Sequence, residues 1–327
     1  MENRIPVILD VDTGVDDAIA LLLALGNRKL DVKAVTTVYG NKSLDVTTEN
    51  TLRLLEFLGR CDIPVAAGAS DAFMKKYIVR PPRTDRPNMH GAVGIGDVVL
   101  PECKQNKLED MSAVDLMAKV IRESEEPVAL VPVGPLTNVA TFLFCYPELK
   151  EKIKCIAIMG GGAFDGNVNP VVEANISGDP EAAHMVFASG VPVMMGGLDV
   201  TMKAYCPKED RDSFRAIGGP IAEFAADCLI PYAAFYEGIY HHPGPCLHDS
   251  VPVAWLIDPD MVKTVPGYVM VDIWGATTYG CTNTDLVGMV KGRMPNTAVG
   301  VDIDREAYIE LIRDAIRNLT ADLAAKA

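Results

Sequence analysis

Positive charge is scarce in this sequence. The 327 residues include 30 Lys and Arg against 44 Asp and Glu, which gives a net charge of −14 at pH 7. No basic tract offsets this imbalance locally. Because such a chain repels phosphate backbones and anionic lipid surfaces, we expect neither a nucleic-acid partner nor a membrane partner.

Long apolar runs and paired cysteines are also lacking. No segment approaches the roughly 18 apolar residues that a membrane helix needs, and the first residues, MENRIPVILD, carry no signal-peptide pattern. The eight cysteines are scattered without a C-x-x-C pair, which is typical of reduced thiols in a chain of this size. These absences predict a cytoplasmic protein without a disulfide framework.

The sequence does contain a regular alternation of apolar runs and amphipathic stretches. Five β-branched runs predict strands, at residues 5–11, 32–38, 128–133, 153–159 and 191–195. Helical patterns follow most of them, at residues 16–25, 44–58, 137–144 and 180–188. Continuous apolar strands suit a sheet that is covered on both faces. The alternation therefore predicts an α/β fold with an open, mainly parallel sheet and helices on both faces.

The pattern changes after Pro207. Residues 219–240 predict one long helix and residues 241–248 a loop rich in Pro, Gly and His, so we expect a helical and loop insertion near 207–248. A further helix, β-like segments between 269 and 301 and a closing helix from Arg305 follow. Because no internal repeat or linker-like composition interrupts the chain, we expect a single domain over residues 1–327.

The stretch VILDVDTGVDDAIALLLAL places four carboxylates where the first predicted strand gives way to a helix: those of Asp10, Asp12, Asp16 and Asp17. In sheets of this kind, ligands bind at the carboxyl ends of the strands. Helix capping accounts for one or two of the carboxylates. The others would repel one another and have raised pKa values unless a cation lay among them. Oxygen ligands without sulfur or imidazole nearby favour Ca²⁺ or Mg²⁺.

Three known motifs compete for this stretch. An EF-hand loop from Asp10 would need Gly at its sixth position and Glu at its twelfth, where the chain has Val15 and Leu21, so that alternative fails. Asp10, Asp12 and Thr13 match the D-x-D-x-T of phosphatases of the haloacid dehalogenase type, in which Asp10 would be the nucleophile. The stretch also resembles the D-x-D-P-G-x-D-D-A signature of nucleoside hydrolases, with Thr13 in place of the proline.

Later segments favour the nucleoside hydrolase family. The blocks TTVYGN, NMHGAVGIGD, LVPVGPLTNVA, IMGGGAFDGNVNPVVEANISGDPEAA and LHDSVPVAW are similar to blocks of that family, in the same order and over nearly the whole chain. A phosphatase would instead need a lysine and a further acidic motif, for which Lys203 and Asp179 are the candidates. The resemblance implies the nucleoside hydrolase fold, a Ca²⁺ cofactor and hydrolysis of ribonucleosides to ribose and free base. Members of the family usually form homodimers or homotetramers, so we expect a homo-oligomer.

The resemblance also assigns roles around the ion. It implies that Ca²⁺ is bound by Asp12, Asp17, Asp249 and the backbone carbonyl of Val133. Asp12 would also be the general base that takes a proton from the attacking water, and Asn41 would brace that water. Asp10, whose side chain leaves the strand on the same face as Asp12, would support the site from behind.

Other residues would hold the ribose. The resemblance implies that Asp16 and Asn175 form hydrogen bonds with the 2′- and 3′-hydroxyls, while Asn167 and Glu173 hold the 5′ end. Taken alone, Asn41 and Asn167 could each equally be a turn residue, because each follows a glycine. The same oxygens could also form a Ca²⁺-dependent nucleoside or ribose binder that does not turn over.

The base would be met by less well-matched segments. His248 would assist the departing base, and His90 and Tyr240 would line its pocket, together with the segment from Tyr232 to Tyr240. Purine, pyrimidine and 7-deazapurine nucleosides all remain open as substrates.

Overall fold

A computed structural model describes residues 4–77 and 89–326. Within these residues, nine strands form one sheet: β1 (Ile5–Val11), β2 (Leu30–Thr37), β3 (Val65–Ala67), β4 (Val128–Pro132), β5 (Ile153–Met159), β6 (Val193–Gly196), β7 (Val262–Val271), β8 (Thr282–Asp285) and β9 (Thr297–Ile303). The strand order is β3-β2-β1-β4-β5-β6-β9-β7-β8. The strands from β3 to β9 in this order are parallel, and β7 is antiparallel to β9 and β8. The prediction of a mainly parallel sheet is confirmed.

Helices connect the strands. The described α-helices are α1 (Val15–Gly26), α2 (Leu44–Phe57), α3 (Ala113–Glu123), α4 (Thr137–Cys145), α5 (Ala174–Gly178), α6 (Pro180–Phe187), α7 (Leu198–Thr201), α8 (Lys208–Arg215), α9 (Pro220–Asp227), α10 (Leu229–Ile239), α11 (Ser250–Ile257) and α12 (Arg305–Ala324). A 3₁₀ helix covers Pro147–Lys152. In these ranges, no helix combines the length and apolar character that crossing a bilayer would require.

The two faces of the sheet carry separate apolar cores. Along β1, Val7, Leu9 and Val11 pack into one core, whereas Ile8 packs into the other, as expected because successive strand side chains point to opposite faces. The first core contains buried residues of α1, α11 and α12, and the second contains those of α3, α4 and α6. Helices thus cover both faces, as predicted.

Two parts of the sequence-based prediction are wrong in detail. The long helix predicted over 219–240 is two helices, α9 and α10, which meet at Cys228. Pro231 explains the break, because it lacks the N–H that would bond to the carbonyl of Asp227. The β-like region begins at Val262 rather than at residue 269, since β7 is longer than its apolar pattern. The single domain over 1–327 stays a prediction, with the continuous sheet in its favour.

The topology determines where a site can form. The strand order reverses at β1, with β2 and β3 on one side and β4, β5 and β6 on the other. Ligands of such sheets bind at the carboxyl ends of the strands, next to this reversal. Asp12 directly follows β1 and Val133 directly follows β4, and these two strands are neighbours. The carboxylate-rich stretch therefore lies at the reversal point.

Candidate active site

The turn between β1 and α1 is built around Asp17. Its Oδ2 accepts hydrogen bonds from the backbone N–H of Gly14 at 2.7 Å and from Nδ2 of Asn41 at 3.1 Å. Its Oδ1 accepts from the backbone N–H of Asp12 at 3.0 Å. A Cβ at Gly14 would lie 2.5 Å from Asn41 Nδ2 and 2.7 Å from His90 Nδ1. Only glycine at this position lets the two side chains approach the turn.

Three buried carboxylates converge beside this turn. Asp16, Asp17 and Asp249 each offer one oxygen, and these oxygens all lie within 4.8 Å of one another. Burial, followed by the charge of Asp17, raises the pKa of Asp16 to about 7. Burial, followed by the charge of Asp16, also raises the pKa of Asp249. Such crowding is costly unless a cation neutralises it.

Asp12 lies beside this cluster. One of its carboxylate oxygens accepts a hydrogen bond, and the other does not. Its Oδ2 accepts from the backbone N–H of Asn41 at 2.7 Å. Its Oδ1 is buried and has no hydrogen-bond partner among the described residues, and the same is true of Asp16 Oδ1. A Cβ at Gly134 would lie 2.7 Å from Asp12 Oδ1, so this oxygen faces the segment that follows β4.

The donor set fits a hard divalent cation. The converging atoms are all carboxylate oxygens, which are the preferred ligands of Ca²⁺ and Mg²⁺. Unpartnered buried oxygens on Asp12 and Asp16 are acceptors that such an ion would satisfy. Of the predicted acidic ligands, Asp17 and Asp249 lie in the cluster and Asp12 lies outside it. The third carboxylate of the cluster is that of Asp16, which was predicted to bind the ribose rather than the ion.

Asp10 lies deeper in the sheet and is held by two donors. Its Oδ1 accepts from Thr36 Oγ1 at 2.7 Å and from Asn138 Nδ2 at 2.8 Å. Burial raises its pKa to about 7. Its backbone carbonyl accepts from the N–H of Val133 at 2.9 Å, which ties β1 to the residue after β4. Thr36 and Asn138 were not predicted from the sequence.

The phosphatase alternative finds no support in the placement of its other residues. The ammonium of Lys203 donates to the carbonyl of Val301 at 2.7 Å and contacts Asp302 at 3.2 Å, so it is engaged at β9. Asp179 caps α6 by accepting from the N–H of Ala182 at 3.1 Å.

Three further residues were predicted to hold the ribose, and their surroundings differ. Asn175 donates from Nδ2 to the carbonyls of Val133 at 2.7 Å and Met159 at 3.1 Å. Glu173 is buried and caps α5, and its Oε2 also accepts from the N–H of Gly161 at 2.9 Å. Asn167 is exposed in the loop after β5. The structure therefore brings Asn175 to the end of β4, whereas Asn167 lies at the surface.

His248 lies between two hydroxyl groups. Its Nδ1 is 2.7 Å from Thr201 Oγ1, and its Nε2 is 2.5 Å from Tyr236 Oη. Burial lowers the pKa of His248 to about 3, so the ring is neutral at pH 7. Tyr232, one helical turn before Tyr236, donates from its hydroxyl to Asp16 Oδ2 at 3.3 Å. Because the rings of Tyr232 and Tyr236 lie 5.1 Å apart, the surroundings of His248 are connected to the carboxylate cluster.

His90 and Tyr240 lie on the same side. The backbone N–H of Val15 donates to His90 Nδ1 at 3.2 Å, and the His90 ring lies 5.4 Å from that of Tyr232. Tyr240 is 47% exposed, with its ring 5.6 Å from that of Tyr236. His90 therefore joins the buried group, and Tyr240 lies at its rim.

The sequence did not predict the hydrogen bond between Tyr236 and His248. It also did not predict the contact between Thr201 and His248. The one available signal was the spacing of Tyr232, Tyr236 and Tyr240, since residues four apart share a helix face. Nothing in the sequence marks Thr201, because its partner lies 47 residues further along the chain.

Known proteins of similar sequence and structure point to one family. A family model described as inosine-uridine preferring nucleoside hydrolase matches residues 7–310. The pyrimidine-specific ribonucleoside hydrolase RihA of Escherichia coli O1:K1 is 44% identical over 314 residues, which cover 96% of this chain and 98% of that protein.

Solved structures agree. A purine-preferring ribonucleoside hydrolase from Gardnerella vaginalis has a TM-score of 0.87 at 35% identity, over 96% of this chain and 99% of that one. The plant nucleoside hydrolase PpNRh1 has a TM-score of 0.87 at 33% identity, over 97% and 99% of the two chains. With its buried carboxylates at the reversal point of the sheet, this chain belongs to the inosine-uridine preferring nucleoside hydrolase family and is a ribonucleoside hydrolase.

Proposed function

We propose that this enzyme cleaves the N-glycosidic bond of ribonucleosides with the help of one Ca²⁺ ion. The observation that carries the proposal is the convergence of three buried carboxylates within 4.8 Å. Asp17, Asp249, the unpartnered oxygen of Asp12 and the carbonyl of Val133 would hold the ion. When bound, Ca²⁺ would supply orientation of the ribose diol and a lower pKa for the attacking water.

Asp12 is the general base in this proposal. The N–H of Asn41 fixes its Oδ2, which orients the carboxylate to take a proton from the attacking water. The water attacks C1′ on the face opposite the base as the C1′–N bond breaks through an oxocarbenium-like state. Asn41 therefore orients the base, and it also holds Asp17. Asp10 supports both strands through Asn138 and the Val133 N–H.

Asp16 and Asn175 bind the ribose 2′- and 3′-hydroxyls. Asp16 Oδ1 has no hydrogen-bond partner among the described residues, and its contact with His90 Nδ1 is 4.0 Å long, so it is available as a hydroxyl acceptor. Asn175 is fixed by its bond to Val133. Glu173 stabilises the loop that leads to Asn167 by bonding the Gly161 N–H, and these two residues hold the 5′ end.

Tyr236 and His248 together assist the departing base. Because the imidazole is neutral and bonded to the Tyr236 hydroxyl, we place the proton donor at Tyr236 and its support at His248. The Tyr236 O–H bond breaks as an N–H bond forms on the base, and the phenolate is stabilised by His248. The proton that Asp12 takes from water returns to Tyr236 through solvent, which closes the cycle.

The favoured substrates are pyrimidine ribonucleosides. The relative named pyrimidine-specific shares 44% of its residues with this chain, against 35% for the structure named purine-preferring. We place the enzyme in the cytoplasm as a homodimer or homotetramer, on the resemblance to the family.

Turnover of free nucleosides tests the proposal. Uridine, cytidine, inosine and adenosine are compared by kcat/KM from released ribose, with p-nitrophenyl phosphate as the phosphatase control. We expect turnover of ribonucleosides, fastest with uridine or cytidine, and none of the phosphate ester. Binding of nucleosides without release of ribose would establish the non-catalytic binder instead.

A further inference from the structure

Thr201 carries a buried hydroxyl group that is not among the catalytic and substrate-binding groups proposed above. It is the last residue of α7, the single helical turn after β6, and its side chain is fully buried. The backbone of α7 is fixed at both ends, because Leu198 N–H donates to the carbonyl of Gly161 at 2.9 Å and Thr201 N–H to that of Gly197 at 3.0 Å. A β-branched side chain on a fixed backbone has few rotamers. The hydroxyl of Thr201 is therefore held in place.

The ring of His248 is enclosed by two hydroxyls. Thr201 Oγ1 lies 2.7 Å from Nδ1, and Tyr236 Oη lies 2.5 Å from Nε2. A neutral imidazole carries one N–H and one acceptor nitrogen. One hydroxyl must therefore donate to the ring while the other accepts from it, so the two hydrogen bonds run in the same direction.

The two possible directions differ in consequence. If Tyr236 donates to Nε2, its proton points at the imidazole and away from the departing base. If Thr201 donates to Nδ1, the proton of the ring is on Nε2 and is donated to the Tyr236 oxygen. A hydrogen bond to that oxygen stabilises the phenolate, and the Tyr236 proton is then free to reach the base.

We propose that Thr201 is a positioning residue for leaving-group activation: its hydroxyl donates to Nδ1 and holds His248 in the tautomer with hydrogen on Nε2. The inference rests on the proposed function, since it concerns how Tyr236 and His248 assist the base. Thr201 keeps its own proton throughout and does not touch the substrate. Its effect on rate is therefore exerted through the orientation and tautomer of His248.

The substitution Thr201→Val tests this role, because valine keeps the shape of threonine and removes the hydroxyl. In the Ca²⁺-loaded enzyme we expect kcat on uridine to fall by roughly 10–100-fold, the range for groups that orient an active residue. KM should change little. The rate on p-nitrophenyl riboside should stay close to that of the unmodified enzyme, since p-nitrophenolate departs without a proton. Thr201→Ser, which keeps the hydroxyl, should restore most of the rate on uridine.

A matched control is Thr297→Val. Thr297 is also buried and makes one side-chain hydrogen bond, to Asn296 at 3.0 Å, but it lies at the start of β9, away from the strand ends that carry the site. This variant should keep the same kcat on both substrates. Thr201→Ala serves if the valine variant does not fold.

A second readout observes the tautomer itself. With ¹⁵N-labelled histidine, the five imidazoles give few signals, and His248→Ala assigns those of His248. We expect an N–H at Nε2 and an unprotonated Nδ1, with this pattern lost or mixed in Thr201→Val. A wild-type N–H at Nδ1 would overturn the inference.

The outcomes separate this inference from the proposed function. If Thr201→Val loses equal rate on both substrates, or none on either, while His248→Ala loses rate on uridine alone, the role of Thr201 is wrong and that of His248 stands. If His248→Ala itself loses equal rate on both substrates, leaving-group activation through His248 is wrong, and the inference is wrong with it.

Discussion

Asp10 and Asp12 leave the same strand end two residues apart, yet their surroundings differ. Asp10 Oδ1 accepts hydrogen bonds from Thr36 and Asn138, and its Oδ2 has no hydrogen-bond partner among the described residues. Asp12 has one oxygen bound by the Asn41 N–H and one with no partner among residues 4–77 and 89–326. A carboxylate that must accept a proton needs such an available oxygen. Both carboxylates have one, so they differ in their neighbours: the N–H of Asp12 donates to Asp17 of the carboxylate cluster, whereas Asp10 bonds to Thr36 and Asn138. We therefore propose the base role for Asp12 and a supporting role for Asp10.

Substituting each carboxylate by its amide tests this assignment. Asp12→Asn should lower kcat on uridine by at least ~10²–10⁴-fold, because it removes the general base. Asp10→Asn should cost only ~10–100-fold, as expected for support behind the site. A larger loss in Asp10→Asn, together with activity of the unmodified enzyme on p-nitrophenyl phosphate, would favour the phosphatase instead.

The loss of rate on removing His248 or Tyr236 should depend on how much the leaving group needs a proton in order to depart. His248→Ala should lose ~10²–10⁴-fold on uridine and keep most of its rate on p-nitrophenyl riboside. Tyr236→Phe, which removes only the hydroxyl that contacts Nε2, should behave in the same way. Steady-state kinetics on both substrates measure this. Retention of the uridine rate in Tyr236→Phe would place the proton donor elsewhere.

The residues that could be predicted from the sequence are those whose chemistry is unusual where they stand. Four acids beside an apolar strand end are costly without a ligand, so their spacing carries information. Asn138 and Thr201 are ordinary residues within helices. Their importance comes from partners 128 and 47 residues away. A single sequence does not reveal which distant residues come into contact in the fold.

At the scale of elements, α2 holds the carboxylate turn through Thr13. The Thr13 hydroxyl lies 2.6 Å from that of Thr51, which donates to the carbonyl of Thr47 at 2.8 Å. Asn50 Nδ2 donates to the carbonyl of Thr13 at 3.3 Å and to that of Val93 at 2.9 Å. Where the family signature has a rigid proline, this chain fixes the turn by side-chain hydrogen bonds to a helix.

The threonine pair should show coupling in a double-mutant cycle. Thr51→Val leaves the buried Thr13 hydroxyl without this partner and should lower the free energy of unfolding by ~1–3 kcal/mol. Thr13→Val together with Thr51→Val removes both hydroxyls and should cost less than the sum of the single changes. Urea denaturation measures all three variants. Strict additivity would show that the two hydroxyls do not stabilise one another.

Elements with strong periodicity were predictable, and those set by packing were not. The predicted strand over 5–11 and the closing helix from Arg305 match β1 and α12. The three-residue strand β3 is too short for any period to be read. The break at Cys228 was missed because the apolar pattern continues through Pro231, although proline cannot complete the helical hydrogen bonding there.

For the whole molecule, the metal-free carboxylate cluster should make stability depend on pH. Burial raises the pKa of Asp10 and Asp16 from 3.8 to about 7. A raised pKa in the folded state gives stability that is complete below the unfolded value and lost as pH rises through about 7. The metal-free protein should therefore unfold at lower temperature at pH 8 than at pH 5.5. An unchanged Tm across this range would contradict the burial of these carboxylates.

Metal removal is the most direct test of the central claim that the converging carboxylates bind Ca²⁺ for catalysis. The protein is stripped with a chelator, shown to be metal-free by mass spectrometry, and measured for Tm and for kcat/KM on uridine before and after Ca²⁺ is restored. Because the ion binds the folded state and its ligands are deprotonated, we expect Tm and activity to fall together and to recover together, with the larger gain in Tm at pH 8. Full activity in the metal-free protein would contradict the claim.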